Sequence, residues 1–244
     1  MAIKLTPYMQ WEPTAPLTEP RSLPPAQLAT ALTEIVAGEG PMLQALLFAR
    51  YVQGVPDLSR AGRVVREALE NGLTLAIGRG DLEVAHELGR ADAQHTVVLL
   101  PDEAQVVSRS RGERSLDEIS LSELAAIFTL VRNSVGATQY TESVQRALLN
   151  ELGLVRLTAP AKQRLLLAWR IADAWRDAGV RDVNEATIIT EPIAGGVEAV
   201  VGTDMRGKKA ATKRRPNVGT TSLWDSYSLN PKPRTMQRDD DSTS

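Results

Sequence analysis

Helical periodicity along most of the chain, a strand-like interruption at residues 82–100 and a basic, apolar-poor C-terminal run predict a mainly α protein. The predicted architecture is a winged helix (three helices plus a β-hairpin) over residues 25–115, then a three-helix bundle over 116–180. An extended lead-in occupies residues 1–24, and residues 181–244 form an ambiguous segment and a disordered basic tail. Aromatic residues are only 4% of the chain against 43% hydrophobic, so the core must be aliphatic. That composition favours helix on helix.

The lead-in is set apart by prolines at 7, 13, 16, 20 and 24. From Pro25, Leu28, Leu32, Ile35 and Val36 recur at helical spacing up to Gly38. Glu39-Gly40-Pro41 breaks that helix, and Pro41 suits the first turn of a second one carrying Leu43, Leu46, Leu47 and Tyr51. Ser59 is the expected N-cap of a third helix, with Val64, Val65, Ala68, Leu69, Leu73, Ala76 and Ile77 as its apolar positions and Gly78 or Gly80 at its end. The period then changes. Leu82–His86 and Thr96–Leu100 read as two short strands around a polar turn. Three helices followed by a hairpin is the winged-helix order; an unrelated small α+β domain is the alternative.

In the second half, Ser120-x-x-Glu123 reads as a capping box stapled by Ile119 and Leu124. A helix follows to Gly136. A second runs from Thr141 to Gly153, and a third opens at Thr158 with Pro160 just inside and closes at Gly179. Ala186 to Thr190 is compatible with a strand. After Thr203 apolar content falls away, as in disordered segments.

Several function classes drop out. With no cysteine there is no disulfide, thiolate zinc site or cysteine nucleophile. Two histidines, His86 and His95, make a poor metal site on their own. Neither G-x-S-x-G nor H-E-x-x-H nor a Walker-type G-x-x-x-x-G-K-[ST] occurs. No enzyme, cofactor or metal is expected. The opening residues lack the apolar stretch of a secretory signal, and no run approaches the roughly 18 apolar residues of a membrane span. The expectation is a soluble, cytoplasmic protein.

Charge is unevenly spread. The first 205 residues carry 19 basic and 26 acidic side chains, while residues 206–244 carry 9 basic and 4 acidic. Arg206, Lys208, Lys209, Lys213, Arg214 and Arg215 form an arm suited to consecutive phosphates; plain solubility is the competing explanation. On the third helix, Arg60 and Arg63 share a stripe with Glu67, with Arg66 to one side. In a helix-turn-helix this stripe reads base edges. It is equally a solvated face with i,i+4 pairs such as Arg63–Glu67. Arg109, Arg111 and Arg114 alternate with serines after the hairpin, a pattern suited either to phosphate contacts or to a polar linker.

A family likeness is carried by short motifs in order: Glu39-Gly40-Pro41-Met42, Arg60-Ala61-Gly62-Arg63, Arg109-Ser110-Arg111, Glu118-Ile119-Ser120-Leu121-Ser122-Glu123-Leu124 and Leu152-Gly153. Over roughly residues 8–175 the chain resembles a domain of unknown function at the C-terminal end of large superfamily I DNA helicases. It departs from that family in having no helicase core, and in carrying Leu121-Ser122-Glu123 where the family has a "P-x-E" start. The resemblance implies a winged-helix-like, helicase-associated accessory domain. The leading expectation for the whole chain is a nucleic-acid-binding accessory protein, most naturally for DNA, beside a helicase or nuclease subunit of a DNA-processing or defence complex. The alternative is a protein-interaction adaptor that uses the winged helix as a docking surface without DNA contact.

Overall fold

The computed structural model describes residues 3–180 and 182–193. The first helix, α1 (Pro25–Glu39), starts at the Pro24-Pro25 pair, buries Leu28, Leu32, Ile35 and Val36, and stops where Gly40 takes φ 79°. Met42–Leu43 form a short strand, β1, which the helical pattern of the sequence conceals, so α2 is confined to Gln44–Gln53. The third helix, α3, spans Arg63–Arg79 and ends on Gly80 in the left-handed region.

The start of α3 differs from expectation. Gly62 is its N-cap and offers no side-chain bond; Ser59 lies three residues upstream. Buried Val55 and half-buried Leu58 hold the connection against the body, and Asp57 turns through φ 63°, so the chain remains in turns until Gly62. Arg60 therefore precedes the helix and is not on its stripe.

Strands β2 (Glu83–His86) and β3 (Thr96–Leu99) form an antiparallel hairpin, as the change of period predicts. The other edge of β3 pairs antiparallel with β1, Met42 opposite Val98 and Leu43 opposite Val97. In this sheet, ordered β1-β3-β2, the central strand is buried at every residue and β2 is an edge. Helices α1 and α3 cross closely because Gly72 leaves room for Leu28: a Cβ added there would lie 2.6 Å from the Leu28 Cβ.

The second half contains α4 (Leu121–Val135), α5 (Glu142–Glu151) and α6 (Ala159–Asp177), with Thr141 and Thr158 capping the latter two as expected. From Leu121 to Thr129 every residue of α4 is buried, so it is the central helix. Phe128, Tyr140 and Trp169 meet with ring centroids 5.4–5.9 Å apart, a geometry favourable for aromatic rings. Residues 186–190 form no strand. They are held by isolated bonds, Trp175 Nε1 to Thr187 O at 3.0 Å and Leu88 N to Ile189 O at 2.8 Å. The mainly α reading of the fold holds, with six helices and one small sheet among the described residues.

One apolar core runs from Leu28 to Ile188, so residues 25–115 and 116–180 share it. Their polar joint is Glu87, at the end of the hairpin strand β2. Fully buried, it accepts bonds from the amides of Leu121 (3.0 Å) and Ser122 (2.6 Å) and from the Ser122 hydroxyl (2.7 Å). These are first-turn donors of α4, which have no partner within the helix. Burial pushes the Glu87 carboxyl above the usual range, against those hydrogen bonds and the nearby Arg164 charge.

Replacing Glu87 by alanine strands two buried amides and should cost about 2–4 kcal/mol, at roughly 1–3 kcal/mol per unsatisfied group with some relaxation. Glu87→Gln turns an NH2 toward one of the same donors, so it should also destabilise rather than rescue. Urea unfolding checks both; a glutamine variant as stable as the parent would remove Glu87 as the joint. Because the folded carboxyl is raised, its contribution is full below the ordinary glutamate pKa and falls as pH rises through the raised one.

Candidate nucleic-acid interface

Helix α3 buries Val65, Leu69, Gly72, Leu73 and Ala76 against the body, and this spacing turns the opposite side to solvent. Arg60 lies exposed in the turn before the helix. Arg63 is its first residue, with 87% of its side chain exposed, and stands 4.0 Å from the Glu67 carboxylate at i,i+4. Such exposed pairs contribute a few tenths of a kcal/mol. Arg66 is half-buried on the flank. The same face presents Glu70, Asn71 and Thr74 and two exposed apolar side chains, Val64 (51%) and Ile77 (37%).

Arg109, Arg111 and Arg114, read as a phosphate-contact set, are turned inward. Arg109 is buried and grips Glu123 with Nε (3.1 Å) and Nη2 (2.7 Å), while its Nη groups also donate to the carbonyls of Glu39 and Pro41. Arg114, 1% exposed, holds the same carboxylate at 2.9 and 2.7 Å and donates to the carbonyls of Ser110 and Arg111. Arg111 donates to Leu152 O at 2.7 Å and Arg114 O at 2.8 Å. These guanidinium donors serve the protein's own acceptors. The physical reason is Glu123: a buried carboxylate demands compensation, and two guanidiniums forming paired bonds supply it.

Glu123 thus does only half of the expected capping box. Its amide donates to Ser120 Oγ at 3.0 Å, but its side chain goes to the arginines instead of back to the N-cap. The complete box is upstream, where Ser115 and Glu118 bond reciprocally around the short 3-10 turn Leu116–Glu118. Burial would raise the Glu123 carboxyl, yet Arg109 and Arg114 hold it below the usual carboxylate range.

The Glu123 node continues into the lead-in. The Tyr8 ring lies over Arg114, 3.9 Å from guanidinium carbon to ring centroid, and its hydroxyl bridges Glu39 and Arg50. Arg50 in turn holds Glu39 at 2.8 Å. Burial pushes the Tyr8 phenol up to about 12, with the Arg50 bond opposing and Glu39 adding to the rise. The Glu39-Gly40-Pro41 turn, the Arg109-Ser110-Arg111 segment and Glu123, three of the short motifs noted in the sequence, therefore converge on one buried polar node. Sequence reasoning misses the roles of Tyr8, Glu39, Arg50 and Glu87, because nothing in their spacing marks them.

The histidines are separate. His86 Nδ1 meets Thr96 Oγ1 at 3.0 Å, while His95 Nδ1 meets Asp92 at 2.9 Å. Among the described residues, no group of three metal-ligating side chains comes together and no helix is long and apolar enough to cross a membrane. Arg206, Lys208, Lys209, Lys213, Arg214 and Arg215 lie outside the described residues.

The node predicts acid sensitivity. With its folded pKa depressed, Glu123 contributes stability above its ordinary value, and that contribution is lost as pH falls through the depressed one. Glu123→Gln leaves two buried guanidiniums short of a charge and should cost about 3–5 kcal/mol, with a shallower loss of stability below pH ~4.5. Thermal unfolding from pH 7 to 3 measures both; parallel profiles for parent and variant would exclude this role. No protein family, curated protein or solved structure was found to match the chain.

Proposed function

We propose that the chain is a nucleic-acid-binding accessory protein of a DNA-processing or defence complex, working beside a helicase or nuclease. The observation that carries this reading is the element order α1–β1–α2–α3–β2–β3 with the sheet order β1-β3-β2. A winged-helix module presents its third helix to a groove and flanks it with a hairpin, and this order supplies both parts. On that reading α3 is the reading helix. Arg60 and Arg63 stand at its exposed amino-terminal end, where recognition helices touch base edges. The basic residues from Arg206 to Arg215 then add non-specific phosphate attraction.

The adaptor reading has its own support. Exposed Val64 and Ile77 interrupt the charged residues of α3, and Glu67 and Glu70 on the same face repel phosphates. A partner protein is served by such a mixed face better than a duplex is.

Salt-dependent binding to duplex and single-stranded DNA separates the two. For DNA, Arg60→Ala and Arg63→Ala should each weaken specific binding by about 1–3 kcal/mol for every bidentate base pairing removed. Unchanged affinity and sequence preference in both variants would favour the adaptor. Deleting residues 204–244 should remove most non-specific affinity and flatten the salt dependence. Six neutralised phosphates correspond to a log–log slope of about −5. Equal binding by the shortened chain would place any nucleic-acid surface on the folded body.

A further inference from the structure

Residues 3–11 dock on the body as a discrete unit. Thr6 pairs with the segment around Arg109, donating to Ser108 O at 3.0 Å and accepting from Ser110 N at 2.8 Å. Tyr8 N reaches Ser110 Oγ at 3.1 Å and Trp11 N reaches Glu39 Oε1 at 3.0 Å. Two glycines form the seats for its aromatic rings. A Cβ added to Gly112 would lie 2.7 Å from the Tyr8 ring, and one added to Gly38 would lie 2.5 Å from the Trp11 ring. Both distances are shorter than non-bonded carbons tolerate, so the rings occupy space that only glycine leaves.

Residues 12–16 are of another kind. Glu12, Thr14, Ala15 and Pro16 are exposed, Pro13 is half-buried beside Gly54, and this stretch makes no hydrogen bond among the described residues. The chain is held again at Leu17, whose amide donates to Gly54 O at 2.8 Å. A docked segment, an unbonded five-residue connection containing two prolines and a fixed anchor are the parts of an exchangeable arm.

We infer that this arm can leave its own groove, and that the same segment of a second copy of the chain can take its place. The receptor is the Gly38–Glu39 end of α1 with residues 108–112, and the matching features of the ligand are Thr6, Tyr8 and Trp11. An exchanged arm makes the same contacts as a resident one. The balance is therefore set by effective concentration, on the order of millimolar for a short flexible connection. Copies well below that concentration keep their arms at home. Copies brought close together, by high concentration or by a shared binding surface, exchange them and associate.

The absence of cysteine allows single labels on the full chain. Met9, 70% exposed on the arm, is replaced by cysteine in one population (Met9→Cys) and carries a donor dye. Ala37, exposed beside Gly38, is replaced in the other (Ala37→Cys) and carries an acceptor. On mixing, energy transfer between chains should rise with concentration and reach roughly half of its limit near ~1 mM, together with a dimer in size-exclusion chromatography. Adding Gly38→Ala to both populations should abolish the transfer. Its new methyl fills the Trp11 seat while improving the helix, so unfolding is not expected; circular dichroism checks that. Absence of transfer at about 1 mM over days overturns the inference, and so does transfer that survives Gly38→Ala, which would place the association on another surface. If Gly38→Ala did unfold the chain, Trp11→Ala in the donor population is the second variant: abolished transfer supports exchange and unchanged transfer overturns it.

Discussion

The Glu123 carboxylate is the constraint on which the arrangement of the chain depends. It is fully buried, and an ionised carboxylate so placed is tolerated only with charge and hydrogen bonds returned to it. Arg109 and Arg114 return both. Each guanidinium has further donors to satisfy, and these reach the carbonyls of Glu39, Pro41, Ser110 and Arg111. One acidic side chain on α4 thereby fixes the turn between α1 and β1, the whole of residues 108–114 and, through the Tyr8 ring, the lead-in. Moving Arg109 or Arg114 off that carboxylate breaks buried bonds that water cannot replace.

The same requirement explains the opening turn of α4. Its residues are buried on all sides, so solvent cannot serve the free amides of a helix start. Glu87 takes the amides of Leu121 and Ser122, and Ser120 takes that of Glu123. A carboxylate also suits the positive end of a helix dipole. The hairpin and the central helix are thus joined by a cap that comes from 34 residues upstream.

Helices α1 to α6 and the hairpin were legible because each carries its own period, and the caps at Thr141 and Thr158 because capping is local. What escaped is non-local. Two residues cannot display a strand period, so β1 hid inside a helical stripe, and only its pairing with β3 defines it. Arg109 and Arg111 alternate with serine like a solvated strand, but Glu123, which turns Arg109 inward, lies 14 residues away, and the Glu39 carbonyl that Arg109 reaches lies 70 away. Glu123 itself matched a capping pattern whose side-chain half it does not perform. Of the candidate interface, Arg60 and Arg63 are at the surface, although the helix that should align them begins only at Arg63.

That redistribution changes the electrostatics of any interface. With Arg109, Arg111 and Arg114 committed to internal acceptors, the exposed basic groups along α3 are Arg60 and Arg63 at its start, beside Glu67 and Glu70, and Arg79 at its far end. Through residue 205 acidic side chains outnumber basic ones, 26 to 19, so the net charge of that part of the chain is unfavourable for a polyanion. Screening confines that repulsion to about 8–10 Å at physiological salt. Attraction at the opening of α3 is screened over the same range, so it acts only on a duplex already within that distance. The six basic residues between 206 and 215 are the one dense positive run in the chain. Capture by them first, with orientation by α3 afterwards, is the order of events that the charge distribution favours for a nucleic-acid partner. A protein partner needs no such order, because apolar contact with Val64 and Ile77 and pairing with either sign of charge are available on α3 at once.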